Sequence, residues 1–393
     1  MSVNVFNRIN GINKIVFYSI LFNYLTIMLL LVLLLLALLI YVIYRIFRKT
    51  KIQVEYNPNG NVSKYVEQMK TIKETYQPTP WLIGPHIHTV YGMRYRKRSK
   101  ITNKCRREEF ILSDKGTSAL DYFEPENAKE NSPFVVIAHT LGGGTREPCV
   151  NNLAEACNKR GWRVVVANGR GCSGAKFTSP RVPSALDYDD LNEVIEHIKE
   201  LYHPSHVFLA GFSLGALQSM GYSSKVGKVD AIAAVSHTYD SLRGVEVLEK
   251  PIAIRLYQPI IMHQLHRAIE KDTFINEPEA LATKTMRDFD EVFTSKKKGF
   301  NTAKDYYKET DIYKNIENAK VPTLILGADD DPFTSKEVFP IEDSKKSQNV
   351  VFVHTLEGGH VSFIKGIDGT SSLIDEILPE WFQVILDSLK KNN

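Results

Sequence analysis

The chain has 393 residues, of which 43% are hydrophobic, and its formal net charge is only +4. This length and hydrophobic content suit a globular protein with a sizeable core, and the small net charge argues against a nucleic-acid-binding surface. The four cysteines show neither CxxC pairing nor ligand spacing with histidine, which argues against a zinc site and a disulfide scaffold. We therefore expect free, mostly buried thiols, no nucleic-acid partner, no metal and no cofactor.

The first predicted element is an apolar span over residues 15–44, preceded by a short N-terminal segment over residues 1–14. The span contains no charged side chain and exceeds the roughly 20 apolar residues that cross a bilayer, whereas a signal-peptide core needs only about 7 to 15. The alternative, a buried core helix, is rarely apolar on every side for this length. The span therefore predicts a single-pass membrane anchor.

The charges around the span leave two orientations open. Four basic residues follow it within residues 45–51 and two precede it, which favours a cytosolic domain under the positive-inside rule. Asn61 begins the glycosylation sequence Asn-Val-Ser, which favours the opposite orientation. Membrane topology and organelle are therefore not specified by these patterns.

A polar, turn-rich segment over residues 45–77 is interpreted as a basic flank and linker, and the folded domain is predicted over residues 78–393. Continuous apolar runs in this domain alternate with amphipathic segments, which predicts a mainly parallel sheet covered by helices on both faces. The predicted strands are 134–138, 163–167, 207–210, 231–235, 323–326 and 350–353. Residues 241–320 contain no clear strand and predict a helical insertion or lid.

Ser213 lies between a predicted strand and a predicted helix, with Gly211 and Gly215 as its second neighbours. A Gly-x-Ser-x-Gly sequence in this setting is typical of a nucleophile elbow, whose sharp turn is strained and leaves no room for larger side chains. The alternative is an ordinary glycine-rich turn, which would not require a strand before it and a helix after it. We therefore predict that Ser213 is a nucleophile.

A serine nucleophile needs a base, and the base needs an acid, in the chain order Ser, acid, His. His360 ends a Gly-Gly-His sequence after the predicted strand at 350–353 and is the candidate base. The loop after the strand at 323–326 offers three consecutive aspartates, among which the residues leave Asp330 and Asp331 open. Both loops follow strand C-termini, where α/β sheets bind their ligands.

An oxyanion hole usually takes one backbone N–H from the residue after the nucleophile and one from a loop after an early strand. Leu214 is the first of these residues. The loop HTLGGGT at residues 139–145 follows the predicted strand at 134–138 and would supply the second donor, at Leu141 or Thr140. A phosphate-binding loop is the rival interpretation of these glycines, but no GK[ST] sequence follows.

These motifs, together with NGRGCSG followed by TSPR, DFDEVFT and DDPF, resemble one group of the α/β-hydrolase superfamily. The group contains bacterial esterases of the YheT type, plant embryogenesis-associated proteins, yeast medium-chain ethyl ester synthases and animal membrane-anchored α/β-hydrolase-domain phospholipases. The resemblance covers about residue 80 to the C-terminus. It implies a serine hydrolase of lipid acyl esters with Ser213, Asp331 and His360 at the triad positions, and thus favours Asp331 over Asp330.

Two motifs depart from the group's pattern. The usual His-Gly after the early strand is His139-Thr140, and the Gly-His-x-Gln-Thr segment is PHIHT at residues 85–89. The two histidines of that segment, His86 and His88, could suggest a metal pair, but without a third ligand we expect a structural role.

The sequence as a whole predicts a membrane-anchored carboxylic ester hydrolase that cleaves or transfers acyl groups through an acyl-serine intermediate. Water as acceptor gives hydrolysis and an alcohol gives transesterification as an additional activity, and the sequence does not specify which predominates. Its partners would be a lipid ester and the bilayer. The alternative is a catalytically silent lipid-binding or receptor protein that keeps the fold, which the presence of serine, acid and histidine disfavours. Head group, acyl-chain length and oligomeric state are not specified by the sequence.

Overall fold

The computed structural model describes residues 3–99, 105–270, 275 and 277–392. Residues 1 and 2 of the predicted N-terminal segment, and residues 271–274 and 276 of the predicted lid, lie outside the described residues. The chain divides into two compact units, Met1–Arg48 and Lys49–Asn393.

The first unit is a single long helix, α1 (Val3–Phe47). Its apolar part, Phe17–Phe47, has 31 residues and contains an 18-residue stretch with a mean hydropathy of 3.2. At about 1.5 Å per residue such a helix is about 45 Å long, which exceeds the roughly 30 Å hydrocarbon core of a bilayer. Among the described residues, this one helix is long and apolar enough to cross a membrane. The helix extends beyond the predicted 15–44 at both ends.

The second unit alternates strands and helices along most of its length. The strands are β1 (Thr50–Lys51), β2 (Gln53–Glu55), β3 (Thr75–Tyr76), β4 (Arg106–Ile111), β5 (Thr117–Phe123), β6 (Phe134–Ala138), β7 (Arg163–Asn168), β8 (Val207–Phe212), β9 (Ala231–Val235), β10 (Thr323–Ala328), β11 (Val350–Thr355), β12 (Ile364–Lys365) and β13 (Ser371–Ser372). All six strands predicted from the apolar runs are confirmed.

The helices of this unit vary widely in length. They are α2 (Ser63–Val66), α3 (Pro85–Val90), α4 (Pro148–Asn158), α5 (Tyr188–Tyr202), α6 (Leu214–Lys225), α7 (Ser241–Leu248), α8 (Pro251–Leu256), α9 (Gln258–Glu270), α10 (Pro278–Leu281), α11 (Met286–Phe289), α12 (Ser295–Lys297), α13 (Ala303–Glu309), α14 (Tyr313–Glu317), α15 (Ile341–Lys346) and α16 (Ile374–Asn392). Two π-helical turns, Tyr91–Tyr95 and Asp290–Thr294, continue α3 and α11.

Within the described chain, nine strands form one sheet in the order β2-β11-β10-β9-β8-β6-β7-β5-β4. The strands from β11 to β7 are parallel, whereas β2, β5 and β4 are antiparallel to their neighbours. Helices α4 and α16 pack against one face of the sheet, and α5 and α6 cover the other. The predicted parallel sheet with helices on both faces is confirmed.

The structure differs from the predicted linker over residues 45–77. Strand β2 pairs with β11 at the edge of the sheet, and β1 pairs with β3. Seven apolar side chains of the same segment are buried in the main core: Ile52, Val62, Tyr65, Val66, Met69, Ile72 and Tyr76. This polar segment is therefore the beginning of the folded unit and not a linker that precedes it.

Residues 241–320 connect β9 to β10 and contain the helices α7 to α14 among the described residues. They contribute apolar clusters of their own, separate from the layers that cover the sheet. The predicted helical insertion is therefore present; it follows the C-terminal end of β9 and leads into the N-terminal end of β10.

Candidate active site

Ser213 occupies the sharp turn between β8 and α6, with φ of 52° and ψ of −111°. This positive φ is unfavourable for a residue with a side chain. The turn depends on both flanking glycines: a Cβ on Gly211 would lie 2.2 Å from the carbonyl oxygen of Gly215, and a Cβ on Gly215 would lie 2.3 Å from that of Ala138. The strand, turn and helix predicted for a nucleophile elbow are all present.

The structure brings the three predicted triad side chains together. His360 Nε2 lies 2.9 Å from Ser213 Oγ, and His360 Nδ1 lies 2.9 Å from Asp331 Oδ2. Asp331 and His360 are 5% and 3% exposed, so water does not compete strongly for these contacts. The residues meet because β8, β10 and β11 end at the same edge of the sheet, with only β9 between β8 and β10.

The neighbouring aspartate, Asp330, has a different set of contacts. Its Oδ1 accepts hydrogen bonds of 2.9 Å from the backbone N–H groups of Gly358 and Gly359, in the loop that carries His360. Burial raises the pKa of Asp330 to about 6. Of the two candidates left open by the residues, the structure thus places Asp331 against the imidazole and Asp330 against the backbone of the loop.

The glycine-rich loop after β6 is shaped by a carboxylate that the sequence analysis did not single out. Glu147, next to the first residue of α4, accepts hydrogen bonds from the backbone N–H of Gly144 at 3.0 Å and of Thr140 at 3.3 Å, and from the Thr140 hydroxyl. Leu141 lies in the loop that Glu147 holds, and Leu214 begins α6, where the first N–H groups have no partner within the helix. The assignment of Leu141 and Leu214 to an oxyanion hole stays a prediction.

An apolar cavity lies between this loop, the nucleophile turn and the helical insertion. Leu141 and Leu214 line it on the sheet side. The insertion contributes mainly apolar side chains to the opposite wall: Leu265, Ala268, Ile269, Met286, Phe289 and Phe293. The cavity adjoins the nucleophile turn through Leu214, the residue after Ser213.

Two of the titratable groups that line this cavity are Asp290 and Cys172. Burial raises the pKa of Asp290 to about 6, and its Oδ2 accepts a 2.8 Å hydrogen bond from the Tyr307 hydroxyl. Burial also raises the pKa of the Cys172 thiol to about 12, so that the thiol is protonated at neutral pH and is a poor nucleophile. Neither group has the hydrogen-bonded base that Ser213 has.

Several residues around His360 were missed by the sequence analysis. Phe333 stacks on the imidazole with 4.2 Å between ring centroids, and the Thr89 hydroxyl accepts a 2.9 Å hydrogen bond from the His360 backbone N–H. Ser236 Oγ accepts a hydrogen bond from Val361 N at 3.0 Å, and burial lowers the pKa of His237 to about 3. The position of Ser236 and His237 just after β9, at the shared strand edge, could have identified them.

Chemically, the arrangement can activate a hydroxyl. His360 Nε2 is within reach of the Ser213 proton, and Asp331 lies where it can accept a hydrogen bond from Nδ1–H and stabilise the imidazolium. Proton transfer from Ser213 Oγ would leave an alkoxide-like nucleophile beside the apolar cavity. A geometry of this kind suits attack on a carbonyl carbon.

Comparison with known proteins identifies relatives over most of the chain. The sequence profile of a family described as "alpha/beta hydrolase fold" matches residues 133–367. An abhydrolase domain-containing protein of Dictyostelium discoideum is 33% identical over 344 residues, which are 84% of this chain and 86% of the relative. The Bos taurus protein named phospholipase ABHD3 is 29% identical over 330 residues, which are 80% of each chain.

Among solved structures, the Pyrococcus furiosus esterase Pf2001 superposes with a TM-score of 0.50 at 15% sequence identity, over 73% of this chain and 97% of the esterase. At this identity the match concerns the fold alone. The predicted α/β-hydrolase fold and the resemblance to a group that includes animal phospholipases are confirmed by these matches.

Proposed function

The chain belongs to the α/β-hydrolase family, and we propose that it is a serine hydrolase that cleaves carboxylic esters of lipids. The observation that carries the proposal is the continuous set of hydrogen bonds from Ser213 through His360 to Asp331 beside an apolar cavity. The similarity to a protein named as a phospholipase supports a lipid ester as substrate.

The reaction would proceed in two halves. Ser213 Oγ attacks the ester carbonyl carbon while His360 Nε2 takes the hydroxyl proton, and the carbonyl oxygen becomes an oxyanion. When this tetrahedral species collapses, the C–O bond to the alcohol breaks and His360 returns the proton to the leaving oxygen. Water then attacks the acyl-Ser213 carbonyl carbon with His360 as base, which releases the acid and restores Ser213.

The oxyanion would be stabilised by the backbone N–H groups of Leu214 and Leu141. Donors fixed by the backbone need no reorganisation when the charge develops, and loss of one such donor typically costs about 10²- to 10³-fold in turnover. Glu147 acts here as a positioning residue because its carboxylate holds Thr140 and Gly144, which lie on either side of Leu141.

The apolar cavity would take the acyl chain. Its wall consists mainly of aliphatic and aromatic side chains from the helical insertion, so that an acyl chain bound there gains the free energy of leaving water. This is why we assign a lipid ester rather than a small polar ester, and why residues 241–320 are assigned as the lid.

We further propose that α1 anchors the protein in a membrane as a single-pass span, since its predominantly apolar stretch from Phe17 to Phe47 is 31 residues long. Alkaline carbonate extraction of membranes that carry the full chain should leave the protein in the pellet. The same treatment should release a chain that begins at Lys49, where the second compact unit starts. Release of the full chain would contradict the anchor.

Covalent labelling with a fluorophosphonate tests the nucleophile. The full chain in detergent should be labelled, Ser213→Ala should not be labelled, and its turnover of a soluble short-chain ester should fall by about 10⁶-fold. Ser205→Ala, which changes an exposed serine before β8, serves as the matched control and should behave as wild type. An unlabelled wild-type chain would instead support the silent lipid-binding alternative.

Water and alcohols would compete for the same acyl-Ser213, so that acyl transfer is proposed as a side activity. Addition of a short alcohol during turnover should convert part of the released acid into a new ester without changing the rate of substrate loss when acylation is the slow step. Product analysis that finds only free acid at every alcohol concentration would restrict the enzyme to hydrolysis.

A further inference from the structure

Two segments of the second compact unit, Lys49–Asn393, which we call the catalytic unit, expose several large apolar side chains close together in the sequence. One precedes and includes α3, and the other comprises α8 and the start of α9. We refer to their exposed apolar side chains, each between 44% and 60% exposed, as the rim surface. The rim surface consists of Trp81, Ile83, Ile87, Ile252, Ile254 and Ile260.

Both segments adjoin the catalytic base. His360 stacks on Phe333. The ring centroid of Phe333 lies 4.7 Å from that of Tyr257, which is located between α8 and α9. The Tyr257 hydroxyl is in turn 2.9 Å from His86 Nδ1 on α3. Helix α3 also contacts the base directly through the 2.9 Å hydrogen bond from His360 N to Thr89 Oγ1. The rim surface therefore lies on elements that surround the active site rather than on a remote face.

Helices α8 and α9 are apolar on both sides at this point. Ala253, Tyr257 and Ile261 are buried in an apolar cluster, whereas Ile252 and Ile260 on the same helices are exposed. A helix on a protein surface in contact with water normally carries charged or polar residues on its outer face. A contiguous exposed apolar patch marks an interaction site.

The charge of the two segments is one-sided. Neither residues 78–99 nor residues 250–269 contain an aspartate or a glutamate. The exposed basic side chains in these ranges are Arg94, Lys97, Arg98, Lys250, Arg255 and Arg267. An apolar face bordered by basic residues is the pattern of segments that lie in the interface of a membrane with anionic lipids, and tryptophan is enriched at that depth.

We propose that the rim surface binds the surface of a lipid bilayer that contains anionic lipids, with the apolar side chains at the headgroup level and the basic residues against the headgroups. The inference rests on the proposed function, because it gives a lipid ester a route from the bilayer to Ser213 that avoids water. It assigns membrane contact to the catalytic unit itself, independently of α1.

Trp81 provides a direct measurement of this contact. The chain has three tryptophans, and Trp162 and Trp381 are 3% and 0% exposed, so that a quencher in the lipid reaches mainly Trp81 at 46%. The full chain reconstituted into vesicles of phosphatidylcholine and phosphatidylserine with brominated acyl chains should lose a fraction of its tryptophan fluorescence. Trp81→Phe should abolish that quenchable fraction. Equal quenching of wild type and Trp81→Phe would overturn the proposal.

A pair of matched isoleucines tests the functional consequence. Ile252 on the rim surface and Ile111 at the end of edge strand β4 are both 60% exposed. Ile252→Glu places a carboxylate at the membrane surface and should lower turnover of vesicle-bound phospholipid at least about tenfold, whereas Ile111→Glu should leave it unchanged. Both variants should hydrolyse a soluble short-chain ester like wild type.

The two assays separate the failure of this proposal from failure of the proposed function. A wild-type chain inactive on both substrates, or active only on the soluble ester, would contradict the proposed lipid hydrolase. Equal vesicle turnover of Ile252→Glu, Ile111→Glu and wild type would overturn the membrane contact alone. Conversion of a dimer to a monomer in detergent by Ile252→Glu, with vesicle turnover intact, would reassign the surface to a second copy of the chain.

Discussion

The strand-end site and the helical insertion of residues 241–320 are held in place by different kinds of contact. At the strand ends, backbone groups and glycines dominate: Ser213 N donates to Val235 O at 2.9 Å, and Asp330 accepts two backbone N–H groups of the His360 loop. In the insertion, side-chain pairs such as Arg287 with Glu249 connect short helices. Geometry set by the backbone tolerates few substitutions, whereas helices connected by side chains can be altered one contact at a time.

The largest effect is expected from substitution of Asp331, the acid of the strand-end site. Asp331→Asn should lower turnover on a soluble ester by about 10⁴-fold, because His360 loses the acceptor at Nδ1 and takes the wrong tautomer. The neighbouring Asp330→Asn keeps an oxygen that can accept from Gly358 and Gly359, and should retain most of the activity. The turnover numbers of the two variants provide the measurement, and the reverse ranking would transfer the role to Asp330.

The nucleophile turn should be the least tolerant part of the backbone. Gly211→Ala places a Cβ 2.2 Å from the backbone oxygen of Gly215, so we expect a loss of about 3 kcal/mol in the free energy of unfolding. Gly169→Ala is the matched control, since its Cβ would approach only the His139 side chain at 3.8 Å. Thermal unfolding in detergent compares the two, and similar midpoints would show that the turn can relax.

In the insertion, Asp290 should make stability depend on pH. Burial raises its pKa from the ordinary 3.8 to about 6, so its contribution to folding stability is fully present below pH 4 and is lost as the pH rises through 6. The shift corresponds to about 3 kcal/mol at pH 8. Asp290→Asn should remove this dependence while its amide oxygen still accepts from Tyr307.

The measurement for Asp290 is the free energy of unfolding of both proteins at pH 4, 6 and 8 in the same detergent. The free energy of unfolding of Asp290→Asn, relative to that of wild type, should increase as the pH rises. A variant whose stability falls in parallel with wild type over this range would show that other groups cause the pH dependence.

The smallest effect is expected at a single ion pair of the insertion. Arg287 and Glu249 contact each other at 2.5 Å, but about a third of each side chain is exposed. Solvent screening limits such a pair to about 0.5 kcal/mol. A double-mutant cycle with Arg287→Gln and Glu249→Gln measures the coupling energy directly. A coupling energy above about 2 kcal/mol would contradict the view that the contacts of the insertion can be altered one at a time.

The sequence was most informative where the backbone imposes the requirement. The two glycines around Ser213 predict the turn because no other residue fits there, and the continuous apolar runs predict strands that are buried on both faces. His360 and Asp331 could be placed in loops after strands for the same reason. The choice between Asp330 and Asp331 depends on side-chain directions within one short loop, which residue types alone do not specify.

Contacts between distant segments were not predictable from one sequence. Residues 45–77 were interpreted as a linker because polar residues and turns dominate them, yet β2 pairs with β11 almost 300 residues later in the chain. The side chains of Thr89 and Glu147 accept hydrogen bonds from backbone N–H groups. Nothing in the sequence distinguishes these two residues from other threonines and glutamates. The rim surface likewise became evident only with the exposure of each side chain.

The two edges of the central sheet bear on how the protein behaves when it is concentrated. Strand β2, at one edge, has only three residues, and β4, at the other, carries Arg106, Arg107, Glu108 and Glu109 in succession. Short or charged edges resist the strand-to-strand pairing that leads to aggregation. In the membrane-anchored state proposed above, copies of the protein would share one plane, and a sheet with such edges could be crowded there without polymerising.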